Sequence, residues 1–91
     1  MTTREELFLR AVSSFIEDDG YAHFTFNNLT TICKSDHFKK YLDSLIEQGL
    51  LEDFTENGYC KKMKVYNPID CPDFIFNPQF DIRMLDYLLE R

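Results

Sequence analysis

The sequence predicts an α+β domain with a three-helix core, a two- or three-stranded β element and a C-terminal helix. Three observations carry this. Residues 35–51, SDHFKKYLDSLIEQGLL, read as one helix that stops at a glycine and turns directly into a strand. A shorter helical pattern lies before it. A hairpin pattern with an Asn-Gly pair lies after it.

The first helix is predicted over about residues 3–19. Thr3-Arg4-Glu5-Glu6 has the form of a capping box, with Thr3 as N-cap and Glu6 reaching back. Leu7, Phe8, Ala11, Val12, Phe15 and Ile16 follow at helical spacing, and Leu9 interrupts the polar side once. Gly20 stops the helix after the acidic run 17–19. Residues 21–26, YAHFTF, are short, aromatic and partly alternating, which fits a brief edge strand or extended connector. His23 reads as a surface or packed histidine, because no second ligand is near it in sequence. Thr25 or Asn27 then caps a short second helix through about Cys33, with Leu29 and Ile32 facing inward. Its β-branched threonines make it weak by propensity, so packing must hold it.

The third helix, 35–48, has Ser35 at the N-cap and Asp36 at the positive end of the dipole. Phe38, Tyr41, Leu42, Leu45 and Ile46 form one apolar stripe. Gly49 fits the left-handed position after the last turn. Asp36, Lys40, Asp43 and Glu47 centre the opposite face, with His37 and Lys39 on its flanks. Asp36–Lys40 and Lys39–Asp43 are i,i+4 pairs of opposite sign.

The hairpin spans 50–66, with strands at about 50–55 and 59–66. Asn57-Gly58 is its turn, since both residues tolerate positive φ. On the second strand, Tyr59, Lys61, Met63 and Val65 share one side; Cys60, Lys62, Lys64 and Tyr66 share the other. Met63 and Val65 mark the inner side. The connector 68–78, PIDCPDFIFNP, holds all three prolines and is no regular helix. Phe74, Ile75 and Phe76 within it pack across the domain or against a partner. Asn77-Pro78 starts a final helix, 79–91, with Phe80, Ile82, Met84, Leu85, Leu88 and Leu89 apolar. That helix is either a core element or a dimerisation surface.

At 91 residues the chain is one small domain, 1–91, with core and hairpin in 3–67. With 44% hydrophobic residues it can bury a core. No stretch is long enough to span a membrane, and the N-terminus lacks the pattern of a signal peptide, so a cytoplasmic location is expected. Cys33, Cys60 and Cys71 are an odd number without CxxC spacing, which fits reduced thiols. Cys33, His37, Cys60 and Cys71 match no common zinc spacing, so neither metal nor cofactor is expected. The net charge is −6, which argues against indiscriminate nucleic-acid binding. Residues 34–64 nevertheless balance six lysines against six acids, leaving the deficit to the flanks. No nucleophile–base pairing or phosphate-cradling glycine loop is present, and no enzyme is expected.

The order of helix, short strand, short helix, capped helix, Gly-Leu-Leu and NG hairpin resembles the winged helix-turn-helix superfamily over about residues 3–67. The most specific piece is LDSLIEQGLLEDF. Its Leu42, Leu45, Gly49, Leu50 and Leu51 look like the join between recognition helix and wing in bacterial regulators of the MarR and PadR kind. The resemblance implies a small transcriptional regulator with helix 35–48 in a major groove of duplex DNA and the hairpin on the backbone. It puts Ser35, His37, Lys39 and Lys40 at or near the bases, and Lys61, Lys62 and Lys64 on phosphates. The alternative is an acidic interaction module that binds no nucleic acid. The acidic balance, Phe74, Ile75 and Phe76, and the last helix with Met84 and Leu88 would then face a protein partner or a second copy.

Overall fold

The computed structural model describes residues 2–77 and 79. The described chain is mixed α+β. Helices α1 (Thr3–Ser13) and α2 (Ser35–Glu47) pack with three antiparallel strands, β1 (Tyr21–Phe24), β2 (Leu51–Asp53) and β3 (Lys61–Val65). The strand order is β1-β3-β2, so the second arm of the hairpin is the central strand.

α1 begins one residue earlier in its capping than the sequence reading has it. Thr2, not Thr3, is the N-cap, and Glu5, not Glu6, closes the box. Thr2 Oγ1 accepts from Glu5 N at 3.1 Å, and Thr2 N donates to Glu5 Oε1 at 2.8 Å. Tertiary contact decides between the two registers: Glu5 faces α2, whereas Glu6 turns outward, 3.9 Å from Arg10. α1 also ends at Ser13, well short of residue 19. The Ser13 and Ser14 hydroxyls donate back to the Leu9 and Ala11 carbonyls, a local alternative that loosens the helix. The chain then reverses. Ile16 bridges Ala22, and His23 N donates to Phe15 O at 3.2 Å. This bend, with Gly20 at φ 85°, covers the outer edge of β1.

The expected second helix is not an α-helix. Residues Phe26–Leu29 form a 3-10 turn, followed by turns through Ile32. Thr25 N donates to Asn28 Oδ1 at 2.8 Å, and Thr30 and Thr31 follow at once, so side chains and β-branching end the element early. The core therefore holds two α-helices, not three, among the described residues. Leu29 is still fully buried.

α2 starts with Lys34 as N-cap, without a side-chain cap bond, and Ser35 is its first helical residue rather than its cap. Its far end is as the glycine implies. Gly49 has φ 78°, Gly49 N donates to Ile46 O, and Leu50 N donates to Leu45 O, both at 3.0 Å. These two bonds make a Schellman motif, which satisfies the last carbonyls and launches β2 in one step.

The hairpin forms, but without the two-residue turn. Neither Asn57 nor Gly58 has positive φ. Instead Asn57 Oδ1 accepts from Tyr59 N and Cys60 N at 3.3 and 3.4 Å, and Thr55 Oγ1 accepts from Lys62 N at 3.1 Å. Side-chain acceptors thus shape a wider loop from 54 to 60. Leu51 pairs with Val65 and Asp53 with Met63; on the other side Tyr21 pairs with Lys64 and Phe24 with Lys61. Met63 and Val65 point inward, as the alternation requires.

The core joins Leu7, Phe8, Val12, Phe24, Leu29, Leu45, Leu51, Met63 and Ile75, all nearly inaccessible. Leu9 belongs to it too, at 2% exposure. Its side of α1 is covered by the proline-containing connector: Ile69 N lies 3.4 Å from Ser13 Oγ, and Arg10 donates to the Asp70 carbonyl. The connector ends in a 3-10 turn, Asp73–Phe76. Ile75 is fully buried there, and Phe76 meets Phe15 edge-on at 5.8 Å. The expected C-terminal helix, with Met84 and Leu88, lies outside the described residues.

Two glycine substitutions separate the local arguments. Alanine at position 49 meets no atom within 4 Å, so its cost is the left-handed backbone alone, about 1 kcal/mol. Alanine at 58 also meets open space, without a positive φ, and is expected to change stability by less than about 0.5 kcal/mol. Urea unfolding of both variants checks this. A larger loss at 58 than at 49 would contradict the described hairpin.

Candidate nucleic-acid interface

α2 is held by its inner face. Leu42 and Leu45 are buried, while Phe38, Tyr41 and Ile46 are partly covered against the core. Phe8 of α1 meets Phe38 at 5.8 Å and Tyr41 at 5.6 Å. One turn toward the N-terminus of α1, Glu5 accepts from Ser44, and from Gln48 Nε2 at 3.1 Å. The Ser44 hydroxyl, aided by the Thr2 backbone N–H, holds the Glu5 carboxyl down at about 2. Glu5 is thus an internal fastener between α1 and α2 rather than a surface charge.

The seven residues singled out for DNA divide into two groups. Ser35, His37, Lys39 and Lys40 are all exposed on α2. His37 Nε2 lies 3.9 Å from Asp36 Oδ2, and its ring meets Tyr41 at 6.0 Å. Lys39 is tied to Asp43 at 3.1 Å, as the i,i+4 spacing implies. Asp36 does not pair with Lys40, which makes no ion pair among the described residues.

Lys61, Lys62 and Lys64 do not project from the hairpin loop; they sit on the central strand. Lys61 lies on the side of Met63 and Val65, whereas Lys62 and Lys64 lie on the outer sheet face. There both ammonium groups stand over the Tyr21 ring, at 4.7 and 5.8 Å. Lys62 is also 3.9 Å from Glu56. The exposed loop carries Glu56 and Tyr59, the latter 79% accessible. Around Tyr21 lie Phe54, at 5.2 Å, and Glu52, which accepts from the Tyr66 hydroxyl; this bond raises the Tyr66 phenol above its ordinary value. His23 sits beside Asp19 at 2.8 Å. The Tyr21 backbone N–H, and after it His23, lower the Asp19 carboxyl.

The fold adds residues that spacing could not reveal. Arg4, at the start of α1, borders two open grooves beside α2. One, about 480 Å³, runs past Lys40, Tyr41 and Ser44. The other, about 470 Å³, is walled by Thr30, Thr31, Lys34, His37 and Tyr41. Arg4 and Lys34 are exposed and make no ion pair or side-chain hydrogen bond among the described residues. No sequence signal places residue 4 next to 30–37, because only the packing of α1 on α2 brings them together.

The cysteines are all free: Cys33 is buried, Cys60 is exposed on the hairpin loop, and Cys71 lies in the connector. Burial raises the thiols of Cys33 and Cys71. Among the described residues, no cluster of His, Cys, Asp or Glu could hold a metal ion. No helix described is long and apolar enough to cross a membrane. Protein-family models, curated proteins and solved structures give no match to this chain.

The Glu5 fastener has a pH signature. Its folded carboxyl titrates near 2, below the ordinary 4.5. Its contribution is therefore complete above about pH 4.5 and is lost as pH falls toward 2. Glu5→Gln should lower stability at neutral pH by about 1–2 kcal/mol and flatten the acid limb of the stability profile. Chemical unfolding from pH 2 to 7 measures both. An unchanged acid limb would remove Glu5 from this role.

Proposed function

We propose that the chain is a winged-helix domain that binds duplex DNA through the outward face of α2, as a small transcriptional regulator. One observation carries the reading: α2 is fixed along its apolar face while Ser35, His37 and Lys40 remain exposed on it, next to the unpaired cations Arg4 and Lys34. The element order and the β1-β3-β2 sheet support the same reading. A helix presented in this way can enter a major groove and offer donors to base edges. Ser35, His37 and Lys40 take that role. Lys39, bound to Asp43, contributes less. Lys62 and Lys64 add long-range attraction to the backbone, weakened by their seats over Tyr21 and by Glu52 and Glu56 nearby.

A second reading, a protein-interaction module, draws on the exposed rings of Phe54, Tyr59 and Tyr66 beside these acids. Such a mixed aromatic and acidic surface suits a protein partner better than a polyanion.

Binding to a labelled duplex at two salt concentrations separates the readings. Affinity should fall about 3–4-fold for each phosphate contact between about 50 and about 200 mM salt. Lys40→Ala should weaken binding more than the double change Lys62→Ala, Lys64→Ala. No binding at low salt would overturn the DNA reading in favour of the second.

A further inference from the structure

We infer that the groove walled by Arg4, Thr30, Thr31, Lys34 and His37 is a seat for a phosphate group, and that in the DNA reading, on which this rests for its ligand, it grips one backbone phosphodiester beside α2.

Three features of the groove point to this chemistry. It is open and about 470 Å³ in volume, room for a phosphate and its ester oxygens. It brings a guanidinium and an ammonium from distant parts of the chain to one opening, and neither is paired among the described residues. Thr30 and Thr31 also line it; the Thr30 hydroxyl donates to the Asn27 carbonyl at 3.4 Å, whereas the Thr31 side chain donates to no other described group. A planar guanidinium matches two phosphate oxygens at once, and an ammonium adds a point charge. Tyr41 lines both this groove and the neighbouring one beside Lys40.

Two acids stand near this charge. Glu5, next to Arg4, is turned inward and bonded by Ser44, Gln48 and Thr2. Asp36, 74% exposed, lies 3.9 Å from His37 at the groove wall and helps raise the Cys33 thiol there, so it offsets part of the charge of Arg4 and Lys34. The sheet lysines offer no comparable place. Lys62 and Lys64 are already over Tyr21, and Asp19, Glu52 and Glu56 surround them. The seat also differs in role from the base-facing part of α2, with His37 at the border of the two. Backbone contacts fix register without reading sequence, so Arg4 and Lys34 would position α2 while Ser35, His37 and Lys40 meet bases.

The test compares the full chain with Arg4→Gln, Lys34→Gln, whose side chains make no ion pair or hydrogen bond among the described residues. Thermal unfolding of the variant should match the parent. Duplex affinity should fall about tenfold, equally for unrelated sequences, with a salt dependence shallower by about one phosphate contact. Inorganic phosphate alone should shift the Thr30, Thr31 and Lys34 amide resonances of the parent and not of the variant. If the parent binds DNA and the variant binds it equally well with the same salt slope, the seat is overturned while the DNA reading stands. If phosphate shifts those amides but no duplex binds, the seat stands and its ligand is a free phosphate-bearing molecule. If neither occurs, both are overturned.

Discussion

Phe38 is the point through which the domain is assembled. Its ring meets Phe8 of α1 at 5.8 Å, Phe24 of β1 at 6.3 Å and Phe26 of the 3-10 turn at 5.4 Å. α1 and the consecutive β1 and 3-10 turn thus close on one side chain of α2. The chain of rings goes on from Phe24 to Phe15 and from Phe15 to Phe76, which brings the connector into the same network. Edge-on pairs of this kind add about 0.5–1.5 kcal/mol each beyond the area they bury. They also fix orientation. α2 buries only Leu42 and Leu45 completely, so its rotation about its own axis depends on Phe38 and Tyr41 being gripped.

That grip determines which charges are available. Glu5, one turn from Phe8, is drawn into the α1–α2 contact and removed from the surface. Lys39 is held by Asp43, and Lys62 and Lys64 by Tyr21. What remains unpaired beside α2, among the described residues, is Arg4, Lys34 and Lys40. An acidic chain with a net charge of −6 can therefore still present a local cationic opening. Long-range repulsion would slow its approach to a polyanion, and short-range contacts would have to supply the affinity.

Where the determinants are local, the sequence was enough to read the structure. Gly49 after an apolar stripe specifies a helix end whatever surrounds it, and the Schellman bonds are found there. Alternation along β3 placed Met63 and Val65 inward. Other signals lost to side-chain hydrogen bonds. Asn57-Gly58 favours a tight turn, but Asp53 and Asn57 accept from loop amides and Thr55 accepts from the Lys62 amide of β3, which stabilises a wider one. Ser13 and Ser14 ended α1 early because their hydroxyls competed for its carbonyls. The capping box slipped by one residue because Glu5, not Glu6, faces Ser44. The groove at Arg4 was not legible at all, since it exists only where two helices and a turn converge.

The central claim is that the aromatic grip on Phe38 and Tyr41 leaves the outward side of α2 as the working surface. Mapping amide resonance changes on titration with an unlabelled random-sequence duplex tests it most directly. The account predicts one continuous set of shifted residues covering Arg4, the 30–34 loop and 35–40. Changes confined to Tyr21, Phe54, Glu52 and Lys62–Lys64 on the outer sheet face, or no changes at low salt, would contradict it.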